Sequence, residues 1–281
     1  MYRAHFGLTL APFTLTADPD FFFPARAARE ALNTLLYAAG TGEGFVLITG
    51  EVSIGKTMLC RKLIEEAGTQ FRVAHLPVPP THPQALLCDL ATELGVKWKK
   101  GANEPAIQAL LTARLIEIAE KGQRTLLCLD EAQALPNDTL EALRLLTNLE
   151  TRHSKLLQVA VFGQPELEAK LADPAIRQLK QRITSHYRLR PFTSAEVADY
   201  LDHRLRAAGY RGARVFRGPA VLLMHLASGG MPRLLNIMAN KALLLAYAAG
   251  RHEVVFSDAF SAALDTPGVG LSRWLAWRKL A

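Results

Sequence analysis

The chain has 281 residues, 49% of them apolar, three cysteines and a formal net charge of +7. That apolar content excludes a disordered chain, and the length leaves room for one large domain or two smaller ones. The longest apolar runs (LLCL at 126–129, LLLAYAA at 243–249) are too short to cross a bilayer, the N-terminus lacks a leader pattern, and Cys60, Cys88 and Cys128 have neither zinc nor disulfide-framework spacing, so a cytoplasmic location is expected.

In chain order, five short β-branched or apolar runs predict strands: FVLIT (45–49), FRVAHLPV (71–78), TLLCLD (125–130), LQVAVFG (157–163) and SHYRLRPF (185–192). Between them, KTMLCRKLIEEAG, PQALLCDLATELG and EPAIQALLTARLIEIAEKG have helical periodicity, and each closes on a glycine. This alternation predicts an α/β domain over residues 1–191, a parallel sheet flanked by helices. From Thr193 the pattern becomes helical throughout, opening on a capping signature (Thr193 or Ser194, with Glu196 inside) and predicting a small all-α lid over 192–281. That region carries 11 Lys and Arg against 6 Asp and Glu, whereas 1–191 carry 22 against 20. The excess suits a solvated face or an anionic partner such as nucleic acid or acidic lipid.

The stretch GEVSIGKT joins the first strand to the first long helix and satisfies G-x-x-x-x-G-K-[ST]. A loop of this kind turns successive backbone N–H groups toward phosphate at a helix N-terminus. Gly50, Glu51, Val52, Ser53, Ile54, Gly55, Lys56 and Thr57, with Met58 following, form the expected cradle for ATP. Lys56 bridges the terminal phosphates, and the Thr57 hydroxyl sits on Mg2+. Ser53 occupies a position where glycine is common; the reading here is that it stiffens the loop and leaves binding intact, tight turning being assigned to Gly50 and Gly55.

TLLCLDEAQAL places Asp130 and Glu131 at the C-terminal end of an apolar strand, the edge where open α/β sheets bind ligands. Asp130 is expected to hold Mg2+ through water and Glu131 to polarise the attacking water, although an acidic pair opening a helix reads the same way in isolation. The string NKAL at 240–243 lacks the aspartate of a guanine-reading signature, which favours ATP over GTP. Three residues have roles only in a ring-forming or dimerising ATPase. Gln164, ending the fourth strand, is placed to touch the γ-phosphate or the water; Arg182, just before the last strand, to reach a neighbour's nucleotide; and Arg233, after a Gly-Gly-x-Pro turn, to approach from the lid. A polar strand end, a helix-end cation and a surface arginine account for the same three residues equally simply.

The segments PFTLTADPDFFF, GEGFVLITGEVSIGKT, LLCLDEAQALPNDTLEALRLLTNLET, FGQPELEAKL, RQLKQRI and GGMPRLLN together resemble the AAA+ ATPases related to the secretion ATPase ExeA/GspA, and within them the MSHA type IV pilus-biogenesis branch. The resemblance covers nearly the whole chain. It implies ATP held between subunits of a homo-oligomer, Lys56 and Thr57 in the phosphate loop, Asp130 and Glu131 in the second motif, Gln164 as first sensor, Arg182 as a finger acting in trans and Arg233 as second sensor. The same resemblance implies an N-terminal box around Phe6, Pro12 and Phe13 near the base, a stretch that by its residues alone reads as a Pro- and Phe-rich segment that packs. The family pattern has Gly-Thr where Ser53 and Ile54 stand, a departure that bears on turnover.

The partners so implied are inner-membrane pilus or secretion assembly proteins. A DNA-targeting ATPase of the transposition-helper type is the alternative, supported by the basic lid. The end of the chain, LSRWLAWRKLA, with Trp274 and Trp277 among Arg273, Arg278 and Lys279, fits peripheral membrane contact or a terminal helix packed on the lid.

Overall fold

The computed structural model describes residues 2–42, 45–99, 101–151 and 155–269. The terminal segment LSRWLAWRKLA lies outside these residues. The chain opens with a short helix, α1 (Tyr2–His5), and a long one, α2 (Arg26–Thr41), then alternates strand and helix: β1 (Phe45–Thr49), α3 (Lys56–Ala67), β2 (Phe71–Leu76), α4 (Pro83–Glu93), α5 (Glu104–Glu120), β3 (Arg124–Leu129), α6 (Asn137–Leu146), β4 (Leu157–Gly163), α7 (Pro165–Lys170), α8 (Arg177–Lys180) and β5 (Ser185–Arg188). Four helices follow: α9 (Ser194–Ala207), α10 (Gly218–Ser228), α11 (Pro232–Ala248) and α12 (Phe256–Leu264). All five strands stand where the apolar runs predict them, the second and fifth ending a few residues early.

The strands form one parallel sheet in the order β2-β3-β4-β1-β5. β1 and β4 are buried along their whole length, the pattern of central strands covered on both faces, whereas the edge strands β2 and β5 are only partly buried. β4 lies between β1 and β3, so the ends of the strands carrying the phosphate-loop motif and the acidic pair flank the end of β4.

The chain divides into two compact units. One, comprising residues 27–52 and 56–189, contains the sheet and a continuous apolar core that includes Leu90, Leu111, Leu127, Leu157 and Leu179. The other contains residues 2–26, 53–55 and 190–269. Residues 1–191 are expected from the sequence as one sheet domain, but the first 26 cluster with the helices instead: Phe6, Leu8, Phe13 and Phe21 share a core with Leu201, Met224, Met238 and Ala259. Large apolar side chains in a Pro-rich segment seek the nearest unfilled apolar face, wherever it stands in the sequence.

Arg204 of α9 secures this packing. It is almost fully buried, its guanidinium donates to the carbonyls of Pro12 (2.5 Å) and Thr14 (3.2 Å), and it lies 4.4 Å over the Phe21 ring. Burial pulls its pKa below the ordinary arginine value, Tyr200 and Asp18 acting the other way. A charge removed from water survives only with such partners. α9 starts on the predicted capping box: Thr193 accepts from Glu196 N, and Glu196 accepts from Thr193 N. Before α11, Gly230 has φ +75°, and a Cβ there would come within 2.2 Å of the Phe192 carbonyl oxygen, so this turn admits only glycine.

Candidate functional site

The buried strand β1 ends at Thr49 and delivers the chain into the loop that opens α3. Lys56 is buried at the first position of α3, and its ammonium donates to the carbonyls of Gly50 (2.8 Å) and Glu51 (3.0 Å), folding the side chain back along the loop. Burial lowers its pKa, while the carboxylates of Glu131, Asp130, Glu51 and Glu166 pull it up. Next to it, the Thr57 hydroxyl donates to Asp130 Oδ2 at 2.6 Å. The other oxygen, Asp130 Oδ1, accepts from Glu131 N at 2.9 Å, so the buried carboxylate is satisfied from two elements.

Among the described residues only Ser53 and Glu131 combine a side chain with a positive φ, at 66° and 52°. Both belong to the sequence-predicted site, in keeping with the tendency of backbone strain to gather where function requires it. The expectation that Gly50 and Gly55 carry the tight turning therefore changes. Gly55 (φ +109°) does so, Gly50 has no positive φ, and Ser53 occupies a left-handed position usually filled by glycine.

Glu131 follows β3, and its Oε2 accepts from Gln133 Nε2 (2.5 Å) and Gln164 Nε2 (3.1 Å). Burial pushes its carboxyl up, but these two amides and the Lys56 charge outweigh it and hold the group below its ordinary value, ionised at neutral pH. The structure thus brings Lys56, Thr57, Asp130, Glu131 and Gln164 into one cluster at the C-terminal ends of β1, β3 and β4. Arg182, between α8 and β5, shares no hydrogen bond or ion pair with that cluster among the described residues, and Arg233 is the second residue of α11 in the other unit.

Gln133 does not stand out in the sequence, although DEAQ contains it; its one legible signal is a place two residues after Glu131 at a sheet edge. Cys60 is fully buried, and a hydrogen bond with Cys128, then burial, hold its thiol well above the ordinary value, His75 opposing them, so it stays protonated and inert. No group of three or more His, Cys, Asp or Glu among the described residues could hold a metal by itself. The Thr57 hydroxyl beside the Asp130 carboxylate is instead the sparse, hard-oxygen set that suits Mg2+ arriving with a phosphate ligand.

Three comparisons bear on this geometry. Residues 39–171 match the family model described as AAA domain. The chain is 39% identical over 269 residues to General secretion pathway protein A of Aeromonas hydrophila, covering 96% of this chain and 49% of that protein, so it spans about half the length of the curated relative it matches. In fold it resembles the Aeropyrum pernix ORC2 protein in its ADP form (TM-score 0.66, 18% identity, 90% of this chain and 72% of that one) and Cdc6p of Pyrobaculum aerophilum (0.66, 18%, 89% and 69%). With its five-stranded parallel sheet, flanking helices and helical C-terminal region, the chain has the fold of the P-loop AAA proteins, and residues 39–171 are the part that matches the AAA domain model.

Proposed function

We propose that the protein binds and hydrolyses ATP and acts as an assembly factor for a cell-envelope machine of the secretion or MSHA-type pilus class. The observation that carries the enzymatic part is the convergence of Lys56, Thr57, Asp130, Glu131 and Gln164 at adjacent strand ends. Lys56 exchanges its carbonyl partners for phosphate oxygens, and the loop N–H groups and the α3 N-terminus bind the same charge. Mg2+, held by Thr57 and through water by Asp130, would neutralise charge on the transferred group. Glu131, ionised and fixed by two amides, accepts the proton of the attacking water, and Gln164 orients that water. In this reading Arg182 reaches a nucleotide on a neighbouring copy and Arg233 contributes from α11. The envelope role rests on the likeness to General secretion pathway protein A. In this reading the protein works on the cytoplasmic side of the inner membrane; no helix among the described residues is long and apolar enough to cross it.

Steady-state phosphate release and ATP affinity, measured for wild type, Glu131→Gln and Lys56→Ala, test the chemistry. Glu131→Gln is expected to bind ATP with turnover down at least about a hundredfold, and Lys56→Ala to lose binding. Equal turnover in wild type and Glu131→Gln would remove Glu131 from catalysis. Recovery of secretion or pilus components with ATP-trapped Glu131→Gln tests the assembly role. A salt-sensitive shift of duplex DNA would favour the DNA-targeting alternative, whose support is the charge excess of residues 192–281.

A further inference from the structure

We propose that Gln133 is a positioning residue, one that fixes the carboxylate of Glu131 and ties it to Gln164, an inference resting on the reading that Glu131 activates the attacking water. Its side-chain amide faces two ways. Nε2 donates to Glu131 Oε2 at 2.5 Å, and Oε1 accepts from Gln164 N at 3.0 Å. Gln164 Nε2 in turn donates to the same Glu131 oxygen at 3.1 Å, closing a ring of three residues, through the Gln164 backbone N–H, across the ends of β3 and β4. An amide is the group this geometry needs, because it offers a donor and an acceptor from one planar unit.

The turn that carries Gln133 is itself held. Lys170 of α7 donates to the carbonyls of Gln133 (3.1 Å) and Leu135 (2.6 Å). At the end of β4, Gly163 packs closely on α7: a Cβ there would lie 2.5 Å from Leu167 Cδ2, with Gln133 Oε1 at an ordinary contact distance of 3.5 Å. With φ at 52°, the Glu131 backbone is left-handed, at a cost of about 1–2 kcal/mol, and it is held by Asp130 Oδ1 on its N–H and by Ala134 N on its carbonyl. Positioning of this kind acts on the chemical step and leaves ground-state nucleotide binding alone.

The experiment compares wild type, Gln133→Met, Gln164→Met and the double variant of the full chain in steady-state phosphate release. Gln133→Met is expected to lower kcat about ten- to a hundredfold with KM for ATP within about threefold. The double variant is expected to lose clearly less than the product of the two single losses, because either change opens the same ring. Where Gln133→Met fails to fold, Gln133→Glu keeps the size and sets a carboxylate against Glu131; it is expected to reduce kcat at least as far. An unchanged kcat, equal changes in kcat and KM, or fully multiplicative losses, in a wild type that hydrolyses ATP and loses it with Glu131→Gln, would overturn the positioning role. A wild type without hydrolysis would remove the reading beneath it.

Discussion

Ser53→Gly tests the phosphate-loop backbone directly. At φ 66°, Ser53 is in the left-handed region, which costs an L-residue about 1–2 kcal/mol, a cost glycine does not bear. Glycine loses more backbone entropy on folding, about 0.5–1 kcal/mol, so the expected net effect is stabilisation by about 0.5–1 kcal/mol. For a domain of 150–250 residues this raises Tm by about 1–4 °C. The assay is nucleotide-free thermal unfolding of Ser53→Gly, Ser53→Ala and Ser53→Val beside wild type. Ser53→Ala keeps the strain and stays near wild type, while Ser53→Val, branched at Cβ, is expected to fall below it. ATP affinity of Ser53→Gly is expected within tenfold of wild type, with turnover altered. A Tm for Ser53→Gly below that of Ser53→Ala, or a loss of affinity beyond tenfold, would refute this account of the loop.

Other expectations concern the helical unit. Gly230→Ala combines a φ of +75° with a backbone clash against Phe192 that no side-chain rotation relieves. It should cost about 2–4 kcal/mol in urea unfolding, and a neutral result would disprove the close approach. The Arg190 guanidinium and the Thr193 cap hold the Glu196 carboxyl down at about 2. Its folded value lies below the unfolded one, so the stability it gives is present above the ordinary carboxylate range and is lost as pH falls toward 2. Glu196→Gln should lower stability at pH 7 by about 1 kcal/mol and flatten that acid dependence; an unchanged slope between pH 5 and 3 would count against the ion pair. Arg204→Met is expected to leave the Pro12 carbonyl without its donor, to leave Thr14 O with Asn236 Nδ2 alone, and to destabilise by about 2 kcal/mol, detected as faster proteolysis of residues 2–26.

The sheet was legible because its central strands β1, β3 and β4 are short apolar runs bounded by helices of different period, a signal contained in a few neighbouring residues. The α9 capping box was legible for the same reason: Thr193 and Glu196 are three residues apart. What escaped depends on distant partners. Phe6 and Phe13 belong with helices nearly 200 residues away, and Arg204, a basic residue in an amphipathic helix that reads as solvent-facing, is buried because Pro12 and Thr14 meet it. Within the site, Lys56, Thr57, Asp130 and Glu131 were marked by motif, but Gln133 becomes visible only once β3 and β4 lie side by side. The left-handed backbone at Ser53 was hidden because sequence spacing says which residues form the loop and not which of them must bend it.

The position of β4 between β1 and β3 has a consequence for synthesis on the ribosome. A nascent chain emerged to residue 150 already holds the phosphate loop and the acidic pair, yet the strand that pairs with both β1 and β3 has not been made. Until Gly163 is out of the exit tunnel the two halves of the site have no common register. Competence to grip a nucleotide therefore arises late and all at once, and truncated chains bearing both motifs should be inert.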